Sequence, residues 1–305
     1  MDLRRIRYFV VLAETLHFGR AATRLNIAQP PLSQQIRTLE NELGAQLFER
    51  SNRHVELTPA GKALLPEARA LLAQAERAGT IAARAQRGEL GELRVGFTSS
   101  TAFSSVIPQL IFAYRQRFPD VHLKLEELTT HEQLKAMLER RLEVAFVRSE
   151  KRPDLPPSLR ASSLFEDPLM VALPPQHPLT AHTGALSVQA LAGEQFVMYR
   201  RDSGTGVYEH IMTLCRQAGF SPRIAQEARE VPTIVGLVAA GLGVAFVPAA
   251  LSSIDVNGVQ YRSLREKGAR SAMWLVLRTG DVSPQEAAFA ELTRIVKSRL
   301  QHLEA

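Results

Sequence analysis

Four polar side chains in one short stretch, Gln29, Ser33, Gln34 and Arg37, have the types and spacing to read a nucleic acid. On a helix that starts at Gln29 they share one face with Pro30. A glutamine amide presents a donor beside an acceptor, the pattern that pairs an adenine edge, and arginine suits guanine or phosphate. Ser33 offers a hydroxyl to a base or a phosphate. Pro30 and Pro31 fall in the first turn, where a missing N–H costs little, and present apolar surface to a thymine methyl. Arg53 stands at the tip of a turn between two short extended runs, within reach of a minor groove or a phosphate. Thr23 and Thr58 are hydroxyl candidates for phosphates. The plainer alternative is a solvated polar helix, or a helix-turn-helix used only for protein contact.

A second set of groups suits an organic anion. Thr98-Ser99-Ser100-Thr101 and Thr129-Thr130 each follow an apolar run and precede a helical pattern. Hydroxyls and free N–H groups at a helix N-terminus favour a carboxylate. Arg148 follows a third apolar run, and Arg200 follows Tyr199 at the end of another. Arginine on one wall and hydroxyls on the other would grip an organic acid beyond the C-terminal ends of strands. Each hydroxyl could instead be an ordinary N-cap, and each arginine a solvated or ion-paired surface residue.

The chain holds no paired catalytic constellation. No Ser-His-Asp, Ser-x-x-Lys or phosphate-loop pattern occurs, and the eight histidines lack metal-ligand spacing. Gly204-Thr205-Gly206 resembles the start of a dinucleotide fingerprint, but Glu209 stands where the third glycine belongs. No cofactor and no metal are expected. The lone cysteine, Cys215, excludes an intrachain disulfide and fits a reducing compartment. With no signal-peptide core and no apolar run of about 18 residues, a cytoplasmic protein without a membrane partner is expected.

The elements that must position these groups are legible as patterns. Residues 1–17, 18–25 and 29–43 read as three amphipathic helices, the last closed by Gly44. Leu47–Arg50 and Val55–Leu57 read as two strands around a turn at Ser51–His54. Thr58 and Pro59 open a helix of about 30 residues (about 45 Å) reaching Gly88, with apolar residues at threes and fours. A stripe that long needs a partner, which favours a dimerising linker over a core helix. From Gly91 strand candidates (Leu93–Phe97, Val121–Glu127, Val144–Val147, Leu169–Leu173, Phe196–Tyr199, Ile224–Ala228, Val244–Val247, Met273–Leu277) alternate with helices, predicting a mostly parallel α/β sheet. Of the net charge of +6, +5 lies in residues 1–88, where a nucleic-acid partner would bind.

The order and spacing of Arg7-Tyr8-Phe9, His17–Ala22, Gln29–Ile36, Leu39-Glu40, Leu43-Gly44, Leu47–Arg50 and Leu57–Gly61 resemble the LysR-type transcriptional regulator family. The likeness extends over the whole chain. Arg229-Glu230-Val231, Gly236–Val244 and Val247-Pro248 are similar to a narrower branch, the benzoate-, muconate- and phenylpropionate-responsive regulators of aromatic catabolism.

That resemblance implies a winged helix-turn-helix at 1–58, a dimerising linker helix at 59–88 and an effector-binding domain at 89–305 like a type 2 periplasmic binding protein. Its first lobe would span about 89–164 and 268–305, its second about 165–267. It further implies a homodimer through the linker, a homotetramer on promoter DNA, and RNA polymerase as a partner. In the branch, positions matching Ser99, Thr129 and Arg148 are implicated in effector binding. The chain departs at Arg200, where the branch usually has proline, and the extra cation favours a dicarboxylate. The expected function is a double-stranded promoter DNA-binding regulator set by an aromatic or dicarboxylic acid. Two alternatives are a cytosolic sensor whose basic N-terminus only oligomerises, and an enzyme with a DNA-targeting module.

Overall fold

The computed structural model describes residues 1–50, 54–201, 206–253, 255, 256 and 258–303. They form two compact units, Met1–Arg84 and Ala85–Ala305.

In the first unit three helices enclose one core. α1 (Leu3–Thr15) is capped by the Asp2 carboxylate, which accepts from the Arg4 N–H at 3.0 Å. α2 (Phe18–Arg24) is capped by His17, whose Nδ1 accepts from Arg20 N. Ala21 and Ala22 are fully enclosed, because only small side chains let α2 lie close to its neighbours. α3 (Gln29–Leu43) buries Leu32, Ile36 and Leu39 and turns its polar residues outward. It stops at Gly44, whose φ of +64° is costly for residues with a Cβ.

β1 (Phe48–Arg50) and β2 (Val55–Leu57) form an antiparallel hairpin with Phe48 opposite Leu57. Glu40 on α3 fastens it, accepting from Leu47 N at 2.9 Å and Phe48 N at 3.2 Å. α4 (Pro59–Gln86) begins where the Thr58 hydroxyl accepts from Gly61 N at 3.0 Å. Gly61 is required there: a Cβ would stand 2.2 Å from the Leu47 carbonyl oxygen. Leu64, Leu65 and Leu72 of α4 pack on the core of this unit, whereas Leu71 and Ile81 remain exposed.

The second unit follows the order β3 (Gly91–Phe97), α5 (Val106–Arg117), β4 (Val121–Glu127), α6 (Thr130–Leu138), β5 (Val144–Ser149), β6 (Leu159–Leu173), β7 (Gln195–Tyr199), α7 (Val207–Gln217), β8 (Arg223–Ala228), α8 (Val231–Ala239), β9 (Ala245–Pro248), β10 (Gln260–Ser263), β11 (Arg270–Arg278) and α9 (Pro284–Leu303). The main sheet runs β10-β6-β11-β5-β3-β4, with β9 also pairing β6. The first lobe packs α5 and α9 on one face of this sheet around Tyr114, Phe146 and Phe289. α6 covers Val147 and Val276. The second lobe closes around Phe196, Phe246, Ile211 and Ile234.

The expectation of a mostly parallel sheet is corrected. β3 pairs parallel with β4 and β5, and β7 with β8, but β6 and β11 are antiparallel to every strand they pair with. The reason is topological. The chain leaves the first lobe along β6 and returns along β11, and adjacent outward and return strands must run in opposite directions. β10 and the first half of β6 are also strands the patterns did not mark. Both carry interrupted alternation, with Arg160, Ser162, Ser163, Glu166 and Asp167 breaking the apolar run of β6.

Candidate functional site

The reading face of α3 is built by its own periodicity. Leu32, Ile36 and Leu39 face the core, so Gln29, Pro30, Pro31, Gln34 and Arg37 are exposed together and Ser33 is half-buried beside them. The first turn has no side-chain cap, since Ala28 occupies the N-cap. Pro30 and Pro31 carry no N–H, so this turn presents apolar surface and not a row of donors. Gln35 faces inward, accepts from Arg5 Nε at 3.0 Å and so ties α1 to α3.

Two candidates in this unit behave differently. Thr23 is exposed, but its hydroxyl donates to Gly19 O at 3.1 Å, leaving only acceptor lone pairs outward. Thr58 is not placed for a phosphate. It is 8% exposed, donates to Gln46 O at 2.7 Å and caps α4, so its hydroxyl is spent on joining the hairpin to the long helix. Arg53 and most of the turn at Ser51–His54 lie outside the described residues, as do Gly204 and Thr205.

In the second unit a cavity of about 30 Å³ lies between the lobes. Ser99, Ser100, Thr129, Arg148 and Tyr199 line it, joined by Arg229 and Glu230. Arg148 leaves the end of β5 and is buried to 3% exposure. Its Nη1 stands 2.9 Å from Asp167 Oδ2 and donates to Ser271 Oγ at 2.7 Å, while its Nε donates to Ser100 Oγ at 3.2 Å. Its backbone N–H reaches the Thr130 hydroxyl at 3.4 Å. Thr130 thus supports Arg148 from behind and does not line the cavity.

Two donors in the cavity wall are left over. Arg148 Nη2 and the Tyr199 hydroxyl are buried without a hydrogen-bond partner among the described residues. Burial pushes the Tyr199 phenol well above its ordinary value, so it remains a neutral donor. Two unmatched donors in a buried space favour an acceptor of matching charge.

Thr129 is the N-cap of α6 in a reciprocal box. Its hydroxyl donates to Glu132 Oε2 at 2.9 Å, and Glu132 N returns a bond at 3.3 Å. The other oxygen of Glu132 meets Arg229 Nη2 at 2.7 Å, across the cleft from the second lobe. A second cross-lobe pair joins Glu150 Oε2 to His210 Nδ1 at 3.0 Å. The bond from Thr129 N, then that from Arg229, holds the Glu132 carboxyl below its usual range.

Arg200 is exposed and stands off the cavity wall, so the expected second cation is not there; Arg229 takes that place. Asp167, Ser271 and Glu132 are site residues that the sequence did not disclose. Ser271 lies 123 residues from Arg148 and Glu132 lies 97 from Arg229, and only β6 and β11 running side by side bring Asp167 and Ser271 to Arg148. Arg229 alone had a signal, in the Arg229-Glu230-Val231 run.

Among the described residues no helix is long and apolar enough to cross a membrane. No group of three or more metal-ligating side chains is found among them either.

Comparison with known proteins accounts for both halves. Residues 3–62 match the bacterial regulatory helix-turn-helix protein of the lysR family, and residues 86–296 match the LysR substrate binding domain. The chain is 44% identical over 276 residues to the regulator YnfL of Escherichia coli K12, covering 90% of this chain and 92% of that one. It is 40% identical to the regulator CatR of Pseudomonas putida over 93% of this chain and 95% of that one. The crystal structure of full-length CbnR with its target DNA superposes with a TM-score of 0.80 at 27% identity, covering 97% and 100% of the two chains. The chain therefore belongs to the LysR family and is a DNA-binding transcriptional regulator with an effector-binding domain, not an enzyme.

Proposed function

We propose that the cleft between the lobes takes the carboxylate of a small organic acid, and that this sets what the regulator does on promoter DNA. The observation that carries the reading is the pair of unmatched buried donors, Arg148 Nη2 and the Tyr199 hydroxyl, in one cavity wall. The Ser99 and Ser100 hydroxyls stand beside them. With Arg200 off the wall and Arg229 held by Glu132, the cleft favours one carboxylate on an apolar body over a dicarboxylate. Leu128, Val207 and Val231 supply the apolar lining.

A space of about 30 Å³ holds one water, whereas ligand pockets run to roughly 300 Å³ and more. The lobes therefore part to admit the effector, breaking the Glu132–Arg229 and Glu150–His210 pairs and bending at β6 and β11. Exchanging these pairs for ligand contacts is the differential free energy an effector needs to shift the regulator between states.

On the DNA side, Gln29, Gln34 and Arg37 read base edges, and Pro30, Pro31 and Ser33 follow the backbone and the thymine methyls. The exposed apolar residues of α4, Leu71 and Ile81, support a homodimer through that helix. A homotetramer that contacts RNA polymerase at the promoter is the assembly this reading expects. A regulator that binds promoter DNA would work in the cytoplasm.

Calorimetric titration of the full chain with benzoate and with succinate tests the cleft. Benzoate should bind, and Tyr199→Phe should weaken it by about tenfold. Equal binding to the Tyr199→Phe variant, or a preference for succinate, overturns the reading. Mobility shift at low salt tests the DNA face, and absence of site preference there would reject it.

A further inference from the structure

α3 carries polar ties on both flanks of its buried stripe, and one of them starts from α1. Arg5 stands on α1 beside Ile6, which is buried in the core of the first unit. Its Nε donates to Gln35 Oε1 at 3.0 Å, and its Nη1 donates to Glu42 Oε1. Gln35 and Glu42 are seven residues apart, so they lie within about 20° of one line along the helix. One planar guanidinium therefore grips α3 at two points about 10 Å apart along its axis.

Glu40 holds the other flank. At about 100° per residue it stands about 140° round the axis from Gln35. Its carboxylate accepts from Leu47 N and Phe48 N of the hairpin. Burial of Leu32, Ile36 and Leu39 decides which side of α3 faces in, but apolar attraction is non-directional. The two polar ties are directional and set the roll of the helix.

Roll matters for reading bases. Side-chain tips lie about 5–6 Å from a helix axis, so a roll of about 20° moves them by about 2 Å. A hydrogen bond to a base edge has about 0.5 Å of slack, and a binding constellation works only within about 10–20° of its productive geometry. The Arg5 and Glu42 side chains are 23% and 37% exposed, and a pair so open to water adds little to stability. The bond from Arg5 holds the Glu42 carboxyl below its usual range.

We propose that Arg5 is a positioning residue for base reading: its fork on Gln35 and Glu42 holds α3 at the roll angle at which Gln29, Gln34 and Arg37 meet base edges. The inference rests on the reading of α3 as the base-reading helix. Arg5 itself touches no DNA in this role and acts through Gln35 and Glu42.

Competition mobility shift with the full-length protein is the test. The probe is a duplex that the native protein selects from a random-sequence pool, together with its single-base-pair variants. Arg5→Met should lower the preference for the selected duplex by about three- to tenfold. Arg5→Lys keeps the charge without the fork and should lose most of the same preference. Both should melt within about 5 °C of the native protein and keep its salt slope. Should Arg5→Met fold too poorly to bind, Arg5→Lys carries the same comparison. An intact preference in the folded variant, while Gln29→Ala loses it, overturns the positioning role alone. A uniform loss of affinity with a salt slope smaller by about one makes Arg5 a phosphate contact and also overturns it. An intact preference in Gln29→Ala as well removes the reading face, and this inference with it.

Discussion

Replacing Arg148 by alanine should destabilise the regulatory unit as well as alter the cleft. The guanidinium is 3% exposed and its partner Asp167 carries a side chain 6% exposed, with Nη1 and Oδ2 2.9 Å apart. Removing the cation strands a buried carboxylate and deprives the Ser100 and Ser271 hydroxyls of their donor. Breaking such a pair costs about 3–5 kcal/mol, because the remaining charge keeps its desolvation penalty and loses its compensation. In a unit of this size that lowers the melting temperature by roughly 6–20 °C. Removing both charges is different in kind. Arg148→Met with Asp167→Asn takes away the penalty together with the attraction, and should lie within about 1–2 kcal/mol of the native protein. Urea unfolding of the full chain measures this directly, because the one tryptophan, Trp274, sits on β11 next to Met273, the strand partner of Arg148. A loss below about 1 kcal/mol in Arg148→Ala, or a double variant as unstable as the sum of the singles, refutes the reasoning. The result also governs how the cleft is probed: Tyr199→Phe removes one unmatched donor and leaves no charge behind.

Gln29→Ala should lower discrimination between the cognate site and altered sites by about 1–3 kcal/mol, read by competition mobility shift; unchanged discrimination would take Gln29 off the reading face. Gly61→Ala should destabilise the first unit by about 1–3 kcal/mol through overpacking against the Leu47 carbonyl, seen as an earlier far-ultraviolet circular dichroism melt. Leu71→Asp on α4 should dissociate the oligomer in sedimentation, and an unaltered species would reject the linker-helix dimer. Glu132 has a depressed folded-state pKa, so its contribution to closure is complete above the ordinary carboxylate value of about 4.3 and is lost as pH falls through the lower folded value. Glu132→Gln at neutral pH should therefore mimic acid, speeding hydrogen exchange over Thr130–Leu138 and Val231–Ala239; unaltered exchange would remove the latch role.

The first unit was legible almost residue by residue, because its signals are local. Leu32, Ile36 and Leu39 recur at helical spacing and by their own burial turn Gln29, Gln34 and Arg37 outward. Thr58 was the exception. Its side chain could serve either as a cap or as a phosphate contact, and only the Gln46 carbonyl, brought alongside by the hairpin, decides for the cap. In the second unit the hydroxyl clusters were visible as N-terminal signals of helices, and Thr129 does cap α6.

By itself, the sequence determined the helix-turn-helix, the long helix, the α/β alternation and the carriers of polar chemistry, since periodicity, capping residues and charge placement act over a few residues. Only the tertiary structure decided which of those carriers meet. Whether Arg148 lies free or beside Asp167 depends on β6 and β11 crossing between the lobes as neighbours. Whether Arg200 or Arg229 faces the cleft depends on how the second lobe closes on the first. Those outcomes rest on contacts between residues dozens of positions apart, and a burial energy shared over two lobes leaves no periodic mark on any one segment.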